Sequence, residues 1–167
     1  PRPPPRHFNY DVTLVMNITD LDDKIIARAH EQSIPCTQLS QQFEAEFHED
    51  MELLHVAPPS VLTRVTEYME EIVVYIETIV GKGLAYESNG SVYFAVDEFA
   101  STEGMAYCKL APEQVNNAKL LAEGEGKLTQ DFVDEKRSPR DFALWKKSKE
   151  AHEPRWPSKW GDGRPGW

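Results

Sequence analysis

The pattern of hydrophobic and polar positions near the start of the chain predicts a strand that leads directly into a helix. Val12 to Met16 is a short apolar run rich in β-branched residues, typical of a strand buried on both faces of a parallel sheet. The polar residues Asn17, Thr19 and Asp20 follow at once. Ligands of open α/β sheets bind beyond the carboxyl ends of the strands, so these side chains are candidates for substrate contact. The alternative is a strand, a capped turn and a helix that bind no ligand.

The spacing of apolar residues then predicts two helices. The first begins near Asp22, with Asp20 or Asp22 as its N-cap, and ends near Gln32. It stops there because Ile34 precedes a proline, and such residues avoid helical geometry. The second begins near Thr37 and carries a single apolar stripe. The stripe consists of Leu39, Phe43, Phe47, Met51 and Leu54.

A third helix, or a pair of helices with a break near Thr66, is predicted after Ser60, which would cap it. Its apolar positions alternate spacings of three and four. They are Leu62, Val65, Met69, Ile72, Ile76 and Ile79. The segment closes at Gly81-Lys82-Gly83, which supplies a left-handed cap.

Beyond residue 83 the pattern changes to that of strands. Residues 84–96 contain two β-prone runs joined by Asn89-Gly90, the strongest short hairpin signal. Phe142 to Trp145 predicts one further strand. Residues 97–130 are rich in turns, and the glycines within 123–126 do not follow a strand and open a helix. They are therefore not expected to form a phosphate-binding loop.

The end of the chain is dense in Trp, Pro and Gly and leaves little room for regular structure. Trp156 and Trp160 are expected to pack a rigid loop, although stacking on nucleic-acid bases is the alternative. The two cysteines, Cys36 and Cys108, are too few for a disulfide framework and predict thiols in a reducing compartment. A metal cluster of Cys36 with His48 and His55 is not expected, because no pair has a close ligand spacing.

Charge and hydropathy narrow the class of protein. No apolar run approaches the length of a membrane span, so no membrane partner is expected. The net charge of −10 argues against a general nucleic-acid binder, but the charge is uneven. Residues 136–167 hold nine Lys or Arg and four Asp or Glu, a net charge of +5, so residues 1–135 carry −15. This basic segment is either the part that faces nucleic acid or an ordinary solvated face.

Three stretches resemble one family, and they occur in the same order along the chain. They are Asn17-Ile-Thr-Asp-Leu-Asp-Asp-Lys-Ile-Ile26, Glu135-Lys-Arg-Ser-Pro-Arg-Asp-Phe-Ala-Leu-Trp-Lys146 and Trp156-Pro-Ser-Lys-Trp-Gly-Asp-Gly-Arg-Pro-Gly-Trp167. Each resembles a motif of the cysteinyl-tRNA synthetases, and together they make the match specific. The resemblance covers nearly all the chain apart from the proline-rich start and residues 97–130. One departure is Ala27, where many members of the family have lysine.

The resemblance implies an α/β fold, namely part of a Rossmann-type class I synthetase catalytic domain with an antiparallel β connective insertion. It assigns residues 1–83 to the partial catalytic domain with its amphipathic helices, 84–160 to the insertion and 161–167 to a return to the catalytic domain. The chain would be a central fragment. The family's ATP-binding His-Ile-Gly-His motif and first zinc ligand would precede it, while the other zinc ligands and the Lys-Met-Ser-Lys-Ser loop would follow it.

The implied activity is ligation of L-cysteine to its tRNA through a cysteinyl-adenylate made from ATP, in the cytoplasm. Within the family, the Thr of Asn-Ile-Thr-Asp contacts cysteine and the Trp of Gly-Arg-Pro-Gly-Trp lines its pocket. The matching residues are Thr19 and Trp167. No catalytic residue and no metal ligand is assigned here, although the parent enzyme would use zinc and ATP with magnesium.

Zinc would select cysteine over serine, because the metal prefers a thiolate to a neutral hydroxyl. With the zinc ligands outside these residues, the isolated chain is expected neither to bind zinc at the family site nor to complete the reaction. Two other functions are compatible with the sequence. One is a paralogue that joins cysteine to an amino sugar, and the other is a non-catalytic RNA-binding remnant that uses the basic segment.

Overall fold

A computed structural model of the chain describes residues 10–114, 135–150 and 152–166. The chain forms two compact units, of which the first ends at Met69 and the second begins at Glu70. The predictions made for residues 115–130 and for Trp167 lie outside the described residues. No helix in the described ranges is long and apolar enough to cross a bilayer.

The first unit contains a pair of parallel strands, β1 (Val15–Ile18) and β2 (Val61–Arg64). Their parallel direction agrees with the prediction for the first strand, but that strand begins at Val15 rather than Val12 and includes Asn17, which is predicted to follow it. The expectation that this strand is buried on both faces is wrong, since Val15 is 57% exposed. The reason is that β1 and β2 form a two-stranded sheet within the described residues, whereas parallel sheets normally have both faces covered.

The helix predicted directly after Ser60 is wrong, because residues 61–64 form β2. The first backbone groups of this segment bond to the residue just before β1: the N–H groups of Ser60 and Val61 donate to the carbonyl of Leu14 at 2.8 and 3.1 Å. The Ser60 hydroxyl accepts from the Leu14 N–H at 3.2 Å and so supports the strand pair rather than a helix. A 3-10 turn over Val65–Glu67 coincides with the predicted break near Thr66.

Two helices follow β1, as predicted. The helix α1 (Asp23–Glu31) is capped by Asp22, whose carboxylate accepts from the Lys24 N–H at 2.7 Å. The helix α2 (Cys36–Leu53) carries the apolar stripe as far as Met51, whereas Leu54 follows the end of the helix and is exposed. Leu39 of this stripe is buried, but Phe43 and Phe47 are 40% and 37% exposed. The stripe is therefore only partly covered by the described residues.

The second unit is built on an antiparallel sheet. Its strands are β3 (Ala85–Ser88), β4 (Ser91–Phe94), β5 (Phe142–Lys147) and β6 (Gly163–Pro165), in that spatial order. The predicted hairpin is confirmed, and Asn89 and Gly90 both have the positive φ that a tight hairpin turn requires. The predicted strand at Phe142 is confirmed as the start of β5.

The helix α3 (Met69–Gly81) packs on this sheet through Ile76, which shares a core with Val92, Trp145 and Trp160. Gly83, at φ +73, ends the segment in the predicted left-handed conformation. Because α3 packs on the antiparallel sheet, the boundary between the compact units lies earlier than residue 83. The assignment of domains within a synthetase remains a prediction.

The tail forms more regular structure than expected, because β6 pairs with β5. This pairing depends on Gly163, where an added Cβ would lie 2.4 Å from the Lys146 carbonyl oxygen and 2.4 Å from Trp145 Nε1. Trp160 is buried 6.4 Å from Trp145 between ring centroids, and Trp156 packs against the same core. The rigid-loop prediction for Trp156 and Trp160 is thus confirmed.

The remaining predicted features are local. Within the turn-rich stretch after residue 96, the structure forms a short helix, α4 (Val96–Ser101), and a 3-10 turn at Pro112–Gln114. Neither Cys36 nor Cys108 is in a disulfide, as predicted.

Candidate functional site

The carboxyl end of β1 opens onto a cavity of about 530 Å³ whose walls come from β1, α1 and α2. We call it the β1 cavity. It is lined by Met16, Asn17, Ile18, Thr19, Lys24, Ile25, Arg28, Leu39, Ser40, Phe43, Glu44 and Phe47. Its place relative to the strand is the one at which open α/β sheets bind ligands, and its apolar walls with a few polar groups are typical of small-molecule sites.

Thr19 lines this cavity, while the contact with cysteine that the motif implies stays a prediction. Its side chain is exposed, and it directly follows Ile18, the last paired residue of β1. Asn17 lines the same cavity. The other predicted substrate contact, Trp167, is outside the described residues, so its proximity to Thr19 stays a prediction.

Asp20 has a different role from Asp22, although the sequence allowed either to cap α1. Asp20 is buried, with 7% of its surface exposed. Its carboxylate accepts from the backbone N–H of Thr66 at 3.1 Å and from the Thr66 hydroxyl at 2.5 Å. Asp20 therefore links the turn after β1 to the turn after β2, while Asp22 alone caps the helix. Sequence reasoning missed this link because the two residues are 46 positions apart.

An ion pair borders the β1 cavity. Arg64, the last residue of β2, donates to both carboxylate oxygens of Glu44, at 2.9 Å from Nε and 2.6 Å from Nη2. It also donates to Glu67 at 2.9 Å. The hydrogen bonds from Arg64 hold the pKa of the Glu44 carboxyl below its usual value, despite the opposing effect of burial. Glu44 in turn raises the pKa of Arg64.

Two cations of α1 also line the β1 cavity and were not singled out from the sequence. Lys24 and Arg28 are four residues apart and so lie on one face of the helix. The Arg28 guanidinium lies 4.8 Å from the centre of the Phe43 ring. Their spacing directly after the Asn-Ile-Thr-Asp motif is the signal that could have identified them. The cavity wall thus combines apolar surface with positive charge.

A second cavity, of about 690 Å³, lies alongside the first and shares Met16 and Phe47 with it. His48 and His55 line it together with largely apolar neighbours. His48 Nε2 is 3.7 Å from Glu44 Oε1. Among the residues that the structure describes, no three or more His, Cys, Asp or Glu side chains are grouped so that they could hold a metal ion.

In the second unit, the start of the basic segment is anchored to the sheet through Tyr86. The Tyr86 hydroxyl donates to Asp141 at 2.7 Å and accepts from the Arg137 N–H at 2.7 Å. The Arg137 guanidinium lies 4.0 Å from the centre of the Tyr86 ring. Burial, with a smaller contribution from Asp141, raises the pKa of Tyr86 to about 12.

Further contacts hold the same segment. Buried Asp141 also accepts from the N–H groups of Val96 and Ser138, at 3.0 and 3.1 Å. Arg140 donates to Asp97 at 2.8 Å. Part of the positive charge of residues 136–167 is thus used in contacts within the unit.

The parallel strands with their helices and the antiparallel sheet define an α/β protein, with a cavity at the carboxyl end of β1. The chain matches the family described as tRNA synthetases class I (C) catalytic domain over residues 5–167, and it belongs to that family. This confirms the resemblance to cysteinyl-tRNA synthetases that the three motifs carry.

Named relatives agree with this assignment. The chain is 57% identical to the cytoplasmic cysteine–tRNA ligase of Dictyostelium discoideum over 162 residues, which are 96% of the chain and 24% of the relative. It is 56% identical to the cytoplasmic cysteine–tRNA ligase of Homo sapiens over 133 residues, 78% of the chain and 18% of the relative. It is 46% identical to the cysteine–tRNA ligase of Encephalitozoon cuniculi over 161 residues, 96% of the chain and 31% of the relative. The chain therefore spans less than a third of the length of these curated relatives.

Proposed function

We propose that this chain is part of the catalytic region of an enzyme that ligates L-cysteine to its tRNA in the cytoplasm, using ATP. The main structural observation behind this proposal is that Thr19 of the Asn-Ile-Thr-Asp motif lines a cavity of small-molecule size at the carboxyl end of β1. Membership of the class I (C) synthetase family and the names of the relatives support the substrate and the compartment. Thr19 would contact cysteine, and Trp167 would line the same pocket.

The reaction has two steps that require positioning more than a protein nucleophile. A carboxylate oxygen of cysteine attacks the α-phosphorus of ATP and pyrophosphate leaves, forming the cysteinyl-adenylate. A terminal ribose hydroxyl of the tRNA then attacks the acyl carbon and AMP leaves. Thr19 orients the amino acid, and Lys24 and Arg28 add positive charge to the cavity that receives anionic reactants.

Zinc and magnesium belong to this proposal as cofactors of the complete enzyme. Zinc would supply the selection of thiolate over hydroxyl, and magnesium would neutralise charge on the ATP phosphates. We assign no zinc ligand within residues 10–114, 135–150 and 152–166, where no suitable group of side chains comes together. The isolated chain is proposed to be inactive because the resemblance places the zinc ligands and the ATP-binding motif outside its residues.

The domain assignment is proposed with the function. Residues 1–83 would belong to the catalytic domain, 84–160 to the connective insertion, and 161–167 would return to the catalytic domain. β6 (Gly163–Pro165) pairs with β5 of the proposed insertion, so these residues of the returning segment are still part of the antiparallel sheet.

A matched pair of substitutions at Thr19 tests the proposal in the protein expressed from the complete reading frame. Thr19→Val keeps the shape of the side chain but removes its hydroxyl, and we expect the KM for cysteine in ATP–pyrophosphate exchange to rise about tenfold, the equivalent of one lost hydrogen bond. Thr19→Ser keeps the hydroxyl and serves as the control, with a KM close to that of the parent. Unchanged KM in Thr19→Val would contradict the assignment of Thr19.

The molecule that receives the cysteinyl group distinguishes the proposed function from the amino-sugar ligase and the RNA-binding remnant. Incubation of the same protein with cysteine, ATP and either tRNA or an amino sugar should yield cysteinyl-tRNA and no cysteinyl-sugar. Formation of a sugar conjugate would favour the paralogue. Salt-dependent binding of tRNA with no aminoacylation would favour the RNA-binding remnant.

A further inference from the structure

The two strand ends beside the β1 cavity are joined by one carboxylate. In the parallel pair of β1 and β2, the last residues in register are Ile18 and Arg64. Asp20 and Thr66 each lie two positions further along their own segment. The Asp20 carboxylate accepts from both the backbone N–H and the hydroxyl of Thr66. The side chain of Asp20 thus continues the bonding of the strand pair past the end of its backbone ladder.

The hydrogen bonds between Asp20 and Thr66 lie largely away from water, so they fix the relative position of the two turns. Only 7% of Asp20 is exposed, and Thr66 is partly buried. A carboxylate removed from water needs hydrogen-bond donors, and Thr66 supplies two of them in fixed directions. Since both donors belong to the turn after β2, Asp20 holds the turn after β1 in one position relative to its neighbour.

Thr19 lies inside the stretch of backbone that this link holds. Its preceding residue, Ile18, is held by the register with β2, and its following residue, Asp20, is held by Thr66. Thr19 itself lines the β1 cavity. We propose that Asp20 is a positioning residue, which acts through its link to Thr66 to hold the hydroxyl of Thr19 where it contacts the amino-acid substrate. This inference rests on the proposed function of Thr19.

The test uses the protein from the complete reading frame and the KM for cysteine in ATP–pyrophosphate exchange. Asp20→Ala removes both hydrogen bonds, and we expect KM to rise about tenfold, because small displacements of a binding group have large effects. Asp20→Asn should restore a KM near that of the parent, since its amide oxygen can accept from the Thr66 N–H and its amide nitrogen can donate to the hydroxyl oxygen. Thr66→Val removes one of the two donors and should raise KM by a smaller factor.

If Asp20 acts by positioning Thr19, the effects of the substitutions on the KM for cysteine should not add. In a Thr19→Val background, Asp20→Ala and Thr66→Val should cause no further rise in KM, because the hydroxyl that they position is already gone. Asp22→Ala is the matched control: it removes a carboxylate of the same turn that only caps α1, and it should leave the KM for cysteine unchanged.

Four results would overturn the inference while leaving the proposed function intact. The first three are an unchanged KM in both Asp20→Ala and Thr66→Val, a rise in Asp22→Ala equal to that in Asp20→Ala, and the same rise in KM with and without the Thr19 hydroxyl. A defect in Asp20→Asn as large as that in Asp20→Ala would also overturn it, because charge and not position would then matter. If Asp20→Ala does not fold, the inference is tested by the KM of Thr66→Val in the parent and in the Thr19→Val variant. An unchanged KM in Thr19→Val would instead remove the proposed function of that residue, and this inference with it.

Discussion

Neighbouring residues in and just after the Asn-Ile-Thr-Asp motif serve different purposes. Thr19 is exposed on the β1 cavity, Asp20 is buried against Thr66, and Asp22 caps α1. The residue types allow this division, since aspartate serves equally well as a helix cap and as an acceptor for a distant donor. The motif therefore both lines the β1 cavity and joins the turns that follow β1 and β2.

Tyr86 carries a pH-dependent prediction at the residue scale. Burial raises its pKa from the ordinary 10.0 to about 12, so the unfolded state loses its proton first as the pH rises. The stabilising contribution of the neutral hydroxyl is complete below pH 10.0 and is lost between 10.0 and about 12. The free energy of unfolding, followed by tryptophan fluorescence in urea, should fall less steeply over this range in Tyr86→Phe than in the parent.

At neutral pH the same variant should be less stable by about 1–3 kcal/mol, because Asp141 loses a donor and the Arg137 N–H loses an acceptor. Tyr75→Phe is the control, since Tyr75 is 69% exposed on α3. An identical alkaline slope for the parent and Tyr86→Phe would show that Tyr86 does not contribute to the alkaline loss of stability.

At the scale of elements, strand pairing decides the structure wherever local pattern and distant contacts compete. The apolar spacing after Ser60 suits a helix, yet residues 61–64 form β2 because β1 supplies backbone partners. Val61 and Thr63 of β2 are β-branched and fit a strand at little cost. The helix appears only from Met69, beyond the reach of β1.

The last strand gives a prediction at the same scale. Gly163→Ala would place a Cβ 2.4 Å from the Lys146 carbonyl oxygen, so β6 must move away from β5. We expect a loss of about 1–3 kcal/mol in the free energy of unfolding of the second unit, the usual effect of overpacking. Trp145 and Trp160 are buried in the core of this unit, so tryptophan fluorescence reports on its unfolding.

Gly81→Ala provides the matched control for that experiment. Gly81 ends α3, and an added Cβ there would meet nothing within 4 Å. The substitution should be neutral or stabilise by up to about 1 kcal/mol, the difference in helix propensity. Equal stability of the Gly163→Ala variant and the parent would mean that β6 is not held against β5 as described.

At the scale of the whole molecule, apolar surface of the first unit is left open. Val15 on β1 is 57% exposed, and Phe43 and Phe47 of α2 are 40% and 37% exposed. An apolar strand with unpaired backbone groups is prone to pair with another chain. We expect the 167-residue chain to self-associate with rising concentration in sedimentation velocity.

A charge on the exposed strand should suppress this association, so Val15→Lys is expected to remain monomeric over a wider concentration range. Val74→Lys is the control, because Val74 is 61% exposed but lies on a helix without free backbone groups. A monomeric parent at all concentrations, or equal suppression by both variants, would contradict this prediction.

The sequence by itself determined the features that depend on neighbours along the chain. The hairpin at Asn89-Gly90 follows from backbone conformations that those two residues adopt readily, and α1 follows from its cap at Asp22 and the proline after Ile34. The three motifs identified the family without any structure, and they placed Thr19 at the end of a strand.

Only the tertiary structure decided the features that need a partner far away in the chain. It turned residues 61–64 into a strand, made β6 pair with β5, and joined Asp20 to Thr66 across 46 positions. It also brought Lys24 and Arg28 onto the same cavity as Thr19. Hydrogen bonds and packing between distant segments leave no periodic signal in the sequence, so these outcomes follow from the folded arrangement alone.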